Sequence, residues 1–229
     1  MSSSAVSVRP IPAQGAEVES VVRELLRMIF LAAPLVGAGI LHMACVKLRV
    51  LERLKVPIDG GRSWRGARIF GDNKTWRGIV LMIGLTILCY GAQTLLVGRF
   101  EALARLTYYD YAAVPVWWAG GLLGLGYALA ELPNSFLKRR LGIRSGKAGQ
   151  GWLGRVFLVV DQADSVLGCL VFMAIYWVPP WTVFVGTLVT GTALHLLFNG
   201  LLRLAGLKRD RPESENPPAG GPDEESGET

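Results

Sequence analysis

Five apolar runs, each near or above the ~20 residues that cross a bilayer as a helix, decide the class of this chain. They lie at residues 28–47, 78–97, 113–132, 156–177 and 181–204 of 229. Lipid offers no water to backbone N–H and C=O groups, so runs of this length are expected as helices that satisfy those groups internally. The expected fold is therefore an all-α integral membrane protein with five transmembrane helices. The first 27 residues are polar, and no short apolar core stands early enough to read as a cleavable signal. Three cysteines, Cys45, Cys89 and Cys169, lie within or beside the runs, and none has C-x-x-C spacing. Neither a disulfide framework nor a zinc site is expected from them.

The formal charge is +6, and its placement matters more than its sum. Between runs one and two stand Arg49, Arg53, Lys55, Arg62, Arg65, Arg68, Lys74 and Arg77, against Glu52, Asp59 and Asp72. Between runs three and four stand Lys138, Arg139, Arg140, Arg144, Lys147 and Arg155, with no acid after Glu131. The stretch after run two is balanced, with Arg99 and Arg105 against Glu101 and Asp110. The positive-inside bias then predicts an integral protein of the cell (inner) membrane, with its N-terminus outside and two basic loops in the cytoplasm. Lys208, Arg209 and Arg211 follow run five and agree. A basic cytoplasmic face also has a general reading, contact with anionic lipid.

Polar residues inside the runs narrow the choice. A carboxylate at the centre of a membrane helix costs roughly 2.5–3.5 kcal/mol on insertion scales, yet run four contains Asp161 and Asp164. Their i, i+3 spacing puts them on one helical face, joined by Ser165 at i+4 from Asp161. Such residues are expected to face a bundle interior or a wet cavity. Around the end of run three, Glu131, Ser135 and Lys138 form a second polar stripe with Asn134 beside it, and Pro133 either starts or bends the helix there. His195 and Asn199 form an i, i+4 pair in run five. Paired oxygen-only carboxylates are what a hard divalent cation such as Mg²⁺ selects.

The first basic loop holds a near-repeat, GRSWRG at 61–66 and NKTWRG at 73–78. Its glycines let backbone amides approach an anion, while Lys74, Thr75 and Arg77 supply charge and donors. The segment GDNKT is not a P-loop, because Asn73 stands where glycine is required before the lysine. A Trp-anchored interfacial loop is the plainer reading. Beside an acidic pair and a second basic cluster, the loop reads as a phosphate cradle facing a metal site. That combination suggests phosphoryl or nucleotidyl transfer to a lipid, chemistry that rests on positioning and charge stabilisation.

The blocks RIFGDNKTWRG, NSFLKRRLG, VDQADSVLG and HLLFN, in that order, resemble the CDP-archaeol synthase family, relatives of the phosphatidate cytidylyltransferases. The resemblance covers roughly residues 30–208 and implies CMP transfer from CTP to a lipid phosphate, giving a CDP-lipid and pyrophosphate, with Mg²⁺ as cofactor. It implies that Asp161 and Asp164, with Glu131, hold the metal. Lys74, Arg77, Lys138 and Asp164 would be catalytic, and Asp72, Asn73, Thr75, Ser135 and Arg139 would bind the nucleotide. Where the family usually has Gly-Asp-Leu-x-Lys-Ser, this chain has Ala-Glu-Leu-Pro-Asn-Ser at 130–135. The expected organisation is a polar segment at 1–27, a five-helix catalytic domain at 28–208 and a disordered acidic tail at 209–229. Expected partners are CTP, a membrane lipid phosphate and the bilayer; a homodimer is allowed for and nucleic acid is not expected. Two other readings stay open: a transporter or channel using the intramembrane carboxylates, and a non-catalytic homologue acting as a lipid-synthesis scaffold.

Overall fold

The structure, a computed structural model, describes residues 14–145, 149 and 151–204. The expected disordered tail and the basic residues Lys147, Lys208, Arg209 and Arg211 lie outside these residues. Five long helices carry the fold: α1 (Gln14–Lys47), α2 (Trp76–Arg99), α4 (Val116–Arg140), α5 (Gly151–Met173) and α6 (Trp181–Leu204). A single turn, α3 (Glu101–Ala104), follows α2. Contacts divide the chain within α6, after Leu196.

Among the described residues, four helices are long and apolar enough to cross a membrane: α1, α2, α5 and α6. α4 has the length, at 25 residues, but its composition differs from that of the other four. It is the central helix, packed against both α2 and α5, and glycines set those contacts. A Cβ on Gly120 or Gly124 would lie 2.6 Å from the Cα of Ile87 or Ile83 on α2. A Cβ on Gly126 would lie 2.5 Å from the Gly168 carbonyl oxygen on α5. Close helix approach over small residues is how membrane bundles gain packing energy where lipid supplies no hydrophobic drive. α4 thus packs glycines, leucines and polar groups against its protein neighbours, while Trp117, Trp118, Leu129 and Leu137 stay exposed.

The helix limits follow local chemistry. α6 begins directly after Pro179 and Pro180, which cannot continue a helix from the preceding turn. α2 is preceded by Thr75, whose side-chain oxygen accepts a hydrogen bond from the Gly78 N–H at 3.2 Å and so caps the helix. α1 starts 14 residues before the first apolar run, so part of the polar N-terminal segment is helical. α4 continues through Pro133 to Arg140. At the end of the bundle where α2 finishes and α4 begins, Tyr90, Tyr109, Tyr111 and Trp177 form an aromatic core, with the Tyr109 and Tyr111 rings stacked at 4.7 Å.

The loop between α1 and α2 corrects the all-α expectation locally. It carries a two-stranded antiparallel hairpin, β1 (Ser63–Trp64) and β2 (Ala67–Arg68). Its two-residue turn is Arg65–Gly66, with φ of 50° and 78°, the positive pair that matches the twist of a tight hairpin. Bridging between Pro57 and Thr75 closes the loop at its base.

Candidate functional site

The loop is built around a residue whose role the sequence did not disclose. Asp59 is buried, and its carboxylate accepts from the backbone N–H of Gly61 at 3.0 Å, Phe70 at 3.1 Å and Gly71 at 3.2 Å. Arg68 donates to it at 2.7 Å and to Asp72 at 2.5 Å. Burial alone would raise the pKa of Asp59. The Arg68 guanidinium and the three N–H donors outweigh burial and hold it at about 2. The signal for this anchor was the Asp-Gly-Gly sequence, in which an aspartate side chain bonds its own backbone two residues on.

α4 holds this loop from the other side. Arg140 donates to the carbonyl of Trp64, to Ala67 O at 2.9 Å and to Arg68 O at 2.6 Å. Arg139 approaches Gly71 so closely that a Cβ there would lie 2.9 Å from its Nη1 and 2.7 Å from the Ser145 Oγ. Gly71 also has φ of 98°, so both space and backbone conformation select glycine. Ser145 donates to Asn73 Oδ1 at 2.6 Å. The Gly71–Asn73 turn, Arg139 and Ser145 therefore form one contact region.

A continuous chain of polar side chains runs from this loop into the bundle. Lys74 pairs with Glu131 on α4. Ser165 on α5 lies 3.2 Å from both Glu131 Oε1 and Asp164 Oδ1. Asn134 donates from Nδ2 to Asp164 at 2.7 Å and to Asp161 at 2.6 Å. Lys138 completes the chain on Asp161, reaching Oδ2 at 2.5 Å. The i, i+3, i+7 spacing of Glu131, Asn134 and Lys138 places all three on the α4 face that meets α5. Three carboxylates thus face two directly paired ammonium groups, with the buried Arg139 guanidinium close enough to Asp161 to feel its charge.

Other predicted site residues occupy different settings. Arg77 is buried and paired with Glu52. Thr75 caps α2, and Asp72 is exposed on Arg68. Ser135 is buried on α4. His195 is buried between Tyr127, at 6.1 Å between ring centroids, and Gly39 of α1. Asn199 lies beyond the division within α6. Arg139 is only 8% exposed, yet its Nε and Nη1 have no hydrogen-bond partner. Among the described residues, no group of three or more His, Cys, Asp or Glu side chains is arranged to hold a metal. Asp161 and Asp164 share one amide donor, whereas Glu131 is engaged by Lys74. Two neighbouring carboxylates still fit a hard cation of the Mg²⁺ kind, which is commonly held by one or two carboxylates with water and substrate phosphate completing its shell.

Known proteins resemble this chain over most of its length. A family model described as CarS-like, CDP-archaeol synthase, matches residues 26–210. A CDP-archaeol synthase of Halobacterium salinarum is 37% identical over 161 residues, covering 66% of this chain and 81% of its own. Those of Halorubrum lacusprofundi and Archaeoglobus fulgidus are 33% and 31% identical, each covering 82% of its own length and 67% and 66% of this chain. No solved structure matches the chain.

Proposed function

The chain belongs to the CDP-archaeol synthase family, and from that premise we propose how its own residues carry the reaction. It is a CTP-dependent cytidylyltransferase that acts on a lipid phosphate, set in a membrane. In the proposed reaction an oxygen of the ionised lipid phosphate attacks the α-phosphorus of CTP. A new P–O bond forms, the bond from the α-phosphorus to the α,β-bridging oxygen breaks, and pyrophosphate leaves with that electron pair. The nucleophile is already an anion, so no strong general base is needed.

The observation that carries this assignment is Arg139. A buried guanidinium with two unpartnered nitrogens calls for an anion, since burying a charge without a partner is costly. It stands beside the glycine turn at Gly71, where backbone approaches closely, and Asn73 and Ser145 line the same region. We assign Arg139, Lys74 and Lys138 to the CTP phosphates, with Asp72, Asn73, Thr75, Ser135 and Arg77 shaping or bracing the loop around them. Glu131 orients Lys74 through their ion pair. Asp161 and Asp164 would hold the Mg²⁺ ion, which when bound withdraws charge from the phosphates of CTP. Lys138, beside Asp161, would stabilise the charge on the pyrophosphate leaving group.

The same reading takes α4 as the fifth crossing helix, with its polar end and the loop on the cytoplasmic side and the N-terminus outside. Its support is the excess of Lys and Arg in the loops at that end. The direct test is pyrophosphate release by the purified protein in detergent, with CTP and Mg²⁺, comparing phosphatidate with a geranylgeranyl-ether glycerol phosphate. Release that depends on a lipid phosphate and on Mg²⁺ is expected. A folded protein that releases none with either lipid would overturn the proposal.

A further inference from the structure

Asn134 stands between the two aspartates of the site. Its Nδ2 lies 2.6 Å from Asp161 Oδ1 and 2.7 Å from Asp164 Oδ2, while the Oδ1 of the same amide is buried without a partner. With Lys74 on Glu131 and Lys138 on Asp161, the amide NH₂ is the donor that reaches Asp164. A carboxamide turned half a revolution about its last bond exchanges NH₂ for oxygen at nearly the same point. The charge between the aspartates decides which edge is favoured. Facing two carboxylates with no cation between them, the oxygen would add a third negative edge, so the NH₂ points inward. Facing a divalent cation, the NH₂ would direct its protons at a positive ion, so the oxygen is preferred. The opposing cost is an NH₂ left in the position where Oδ1 now lies unmatched. A contact to an ion outweighs that cost because charge-assisted interactions are roughly twice as strong as neutral ones.

We propose that Asn134 is a two-state donor: its NH₂ bridges Asp161 and Asp164 in the cation-free protein, and its Oδ1 turns in as a third oxygen donor when a divalent cation binds. The proposal rests on the assignment of Asp161 and Asp164 as the residues that hold the cation. It makes Asn134 a determinant of cation affinity, and that role can be measured apart from turnover.

The test is Mn²⁺ binding to the full chain in detergent, without CTP or lipid, followed by the electron paramagnetic resonance signal of free Mn²⁺. Partners that merely orient metal ligands are typically worth 10–100-fold in affinity. Asn134→Leu, which has neither donor nor acceptor, is therefore expected to weaken Mn²⁺ binding about 10-fold or more. Asn134→Asp, which offers only oxygen, is expected to tighten binding, and Mn²⁺ should raise its melting temperature more than that of the wild type. Asp161→Asn serves as the control. If Asp161→Asn loses Mn²⁺ while Asn134→Leu binds as tightly as the wild type, the role of Asn134 is overturned and the metal assignment stands. If Asp161→Asn binds normally, or the wild type shows no saturable binding, both are overturned. Should Asn134→Leu fail to fold, a Mn²⁺ shift for Asn134→Asp no larger than that of the wild type would overturn the proposal.

Discussion

Lys138 on α4 and Asp161 on α5 form an ion pair in which the ammonium reaches both carboxylate oxygens, with Oδ2 at 2.5 Å. The lysine is buried and the aspartate is part-exposed. Removing one member of such a pair leaves an unmatched charge, a change that costs about 3–5 kcal/mol in a fully buried pair and less where water reaches one partner. Asp161→Asn is therefore expected to lower the stability of the purified protein by about 2 kcal/mol. It should also cut cytidylyl transfer at least about 100-fold. The double variant Asp161→Asn, Lys138→Met should recover the melting temperature without recovering turnover. Recovery of both would mean that the pair serves packing alone.

The α4–α5 contact makes a second prediction, because the bridge from Asn134 to Asp161 and Asp164 exists only while these helices stay close. A Cβ on Gly168 would collide with the Gly126 carbonyl and the Ala130 side chain. Overpacking a close contact typically costs about 1–3 kcal/mol, so Gly168→Ala should lower the melting temperature and Gly168→Val should lower it further while abolishing activity. Gly84 on α2 has nothing within 4 Å of its would-be Cβ. Gly84→Ala is the matched control and is expected to be neutral in both assays. Equal effects at the two positions would contradict the packing argument.

The Asp59 anchor ties loop stability to pH in one direction. Its folded pKa, about 2, lies below its ordinary value of 3.8, so its contribution is present above the ordinary value and is lost as pH falls through about 2. The shift corresponds to about 2 kcal/mol. Hydrogen exchange of the Gly61, Phe70 and Gly71 amides, referenced to buried positions in α2, should show protection falling between pH 4 and pH 2. In Asp59→Asn these amides should already exchange about 10- to 30-fold faster at neutral pH, and the pH dependence should vanish. Unchanged protection in that variant would remove Asp59 as the anchor.

The near-repeat in this loop shows where sequence reading reached its limit. Ser63-Trp64-Arg65-Gly66 and Thr75-Trp76-Arg77-Gly78 look like two copies of one device. The first folds as a hairpin whose turn residues both have positive φ, and the second as the capped first turn of α2. Four letters do not decide between these, because the choice depends on the apolar run that follows only the second copy. Apolar run length, by contrast, was informative: α6 spans the fifth run residue for residue, since Pro179 and Pro180 mark its start. The facing stripes at Glu131–Lys138 and Asp161–Ser165 were legible from spacing alone. Their pairing was not, because Lys74 with Glu131 and Lys138 with Asp161 join residues on different elements, and only tertiary packing selects which cation meets which carboxylate.

Adjacent arginines at the end of α4 give the sharpest separation of binding from bracing. Arg140 donates to three carbonyls of the hairpin strands through Nη1 and Nη2, so both terminal nitrogens are committed to holding the loop and only Nε lacks a partner. Arg139 has one such bond, to Arg144 O at 3.1 Å, and two buried nitrogens without a partner beside Gly71. Replacing Arg139 by glutamine removes a buried charge that the protein itself does not fully satisfy. The melting temperature should therefore hold or rise slightly, while KM for CTP rises about 10- to 100-fold, the effect of losing a charged hydrogen bond of about 1.5–3 kcal/mol. Arg140→Gln should do the reverse: the hairpin amides exchange faster and the loop becomes open to protease, with a smaller change in KM that shrinks when the loop is stabilised by bound nucleotide. Gly71→Ala should mimic Arg139→Gln in KM, because its new methyl group displaces the same guanidinium. Steady-state kinetics across a CTP series, run with exchange measurements on the same samples, distinguishes the two roles. If Arg139→Gln leaves KM for CTP unchanged while loosening the hairpin, both arginines are braces, and the anion that Arg139 calls for is not the nucleotide.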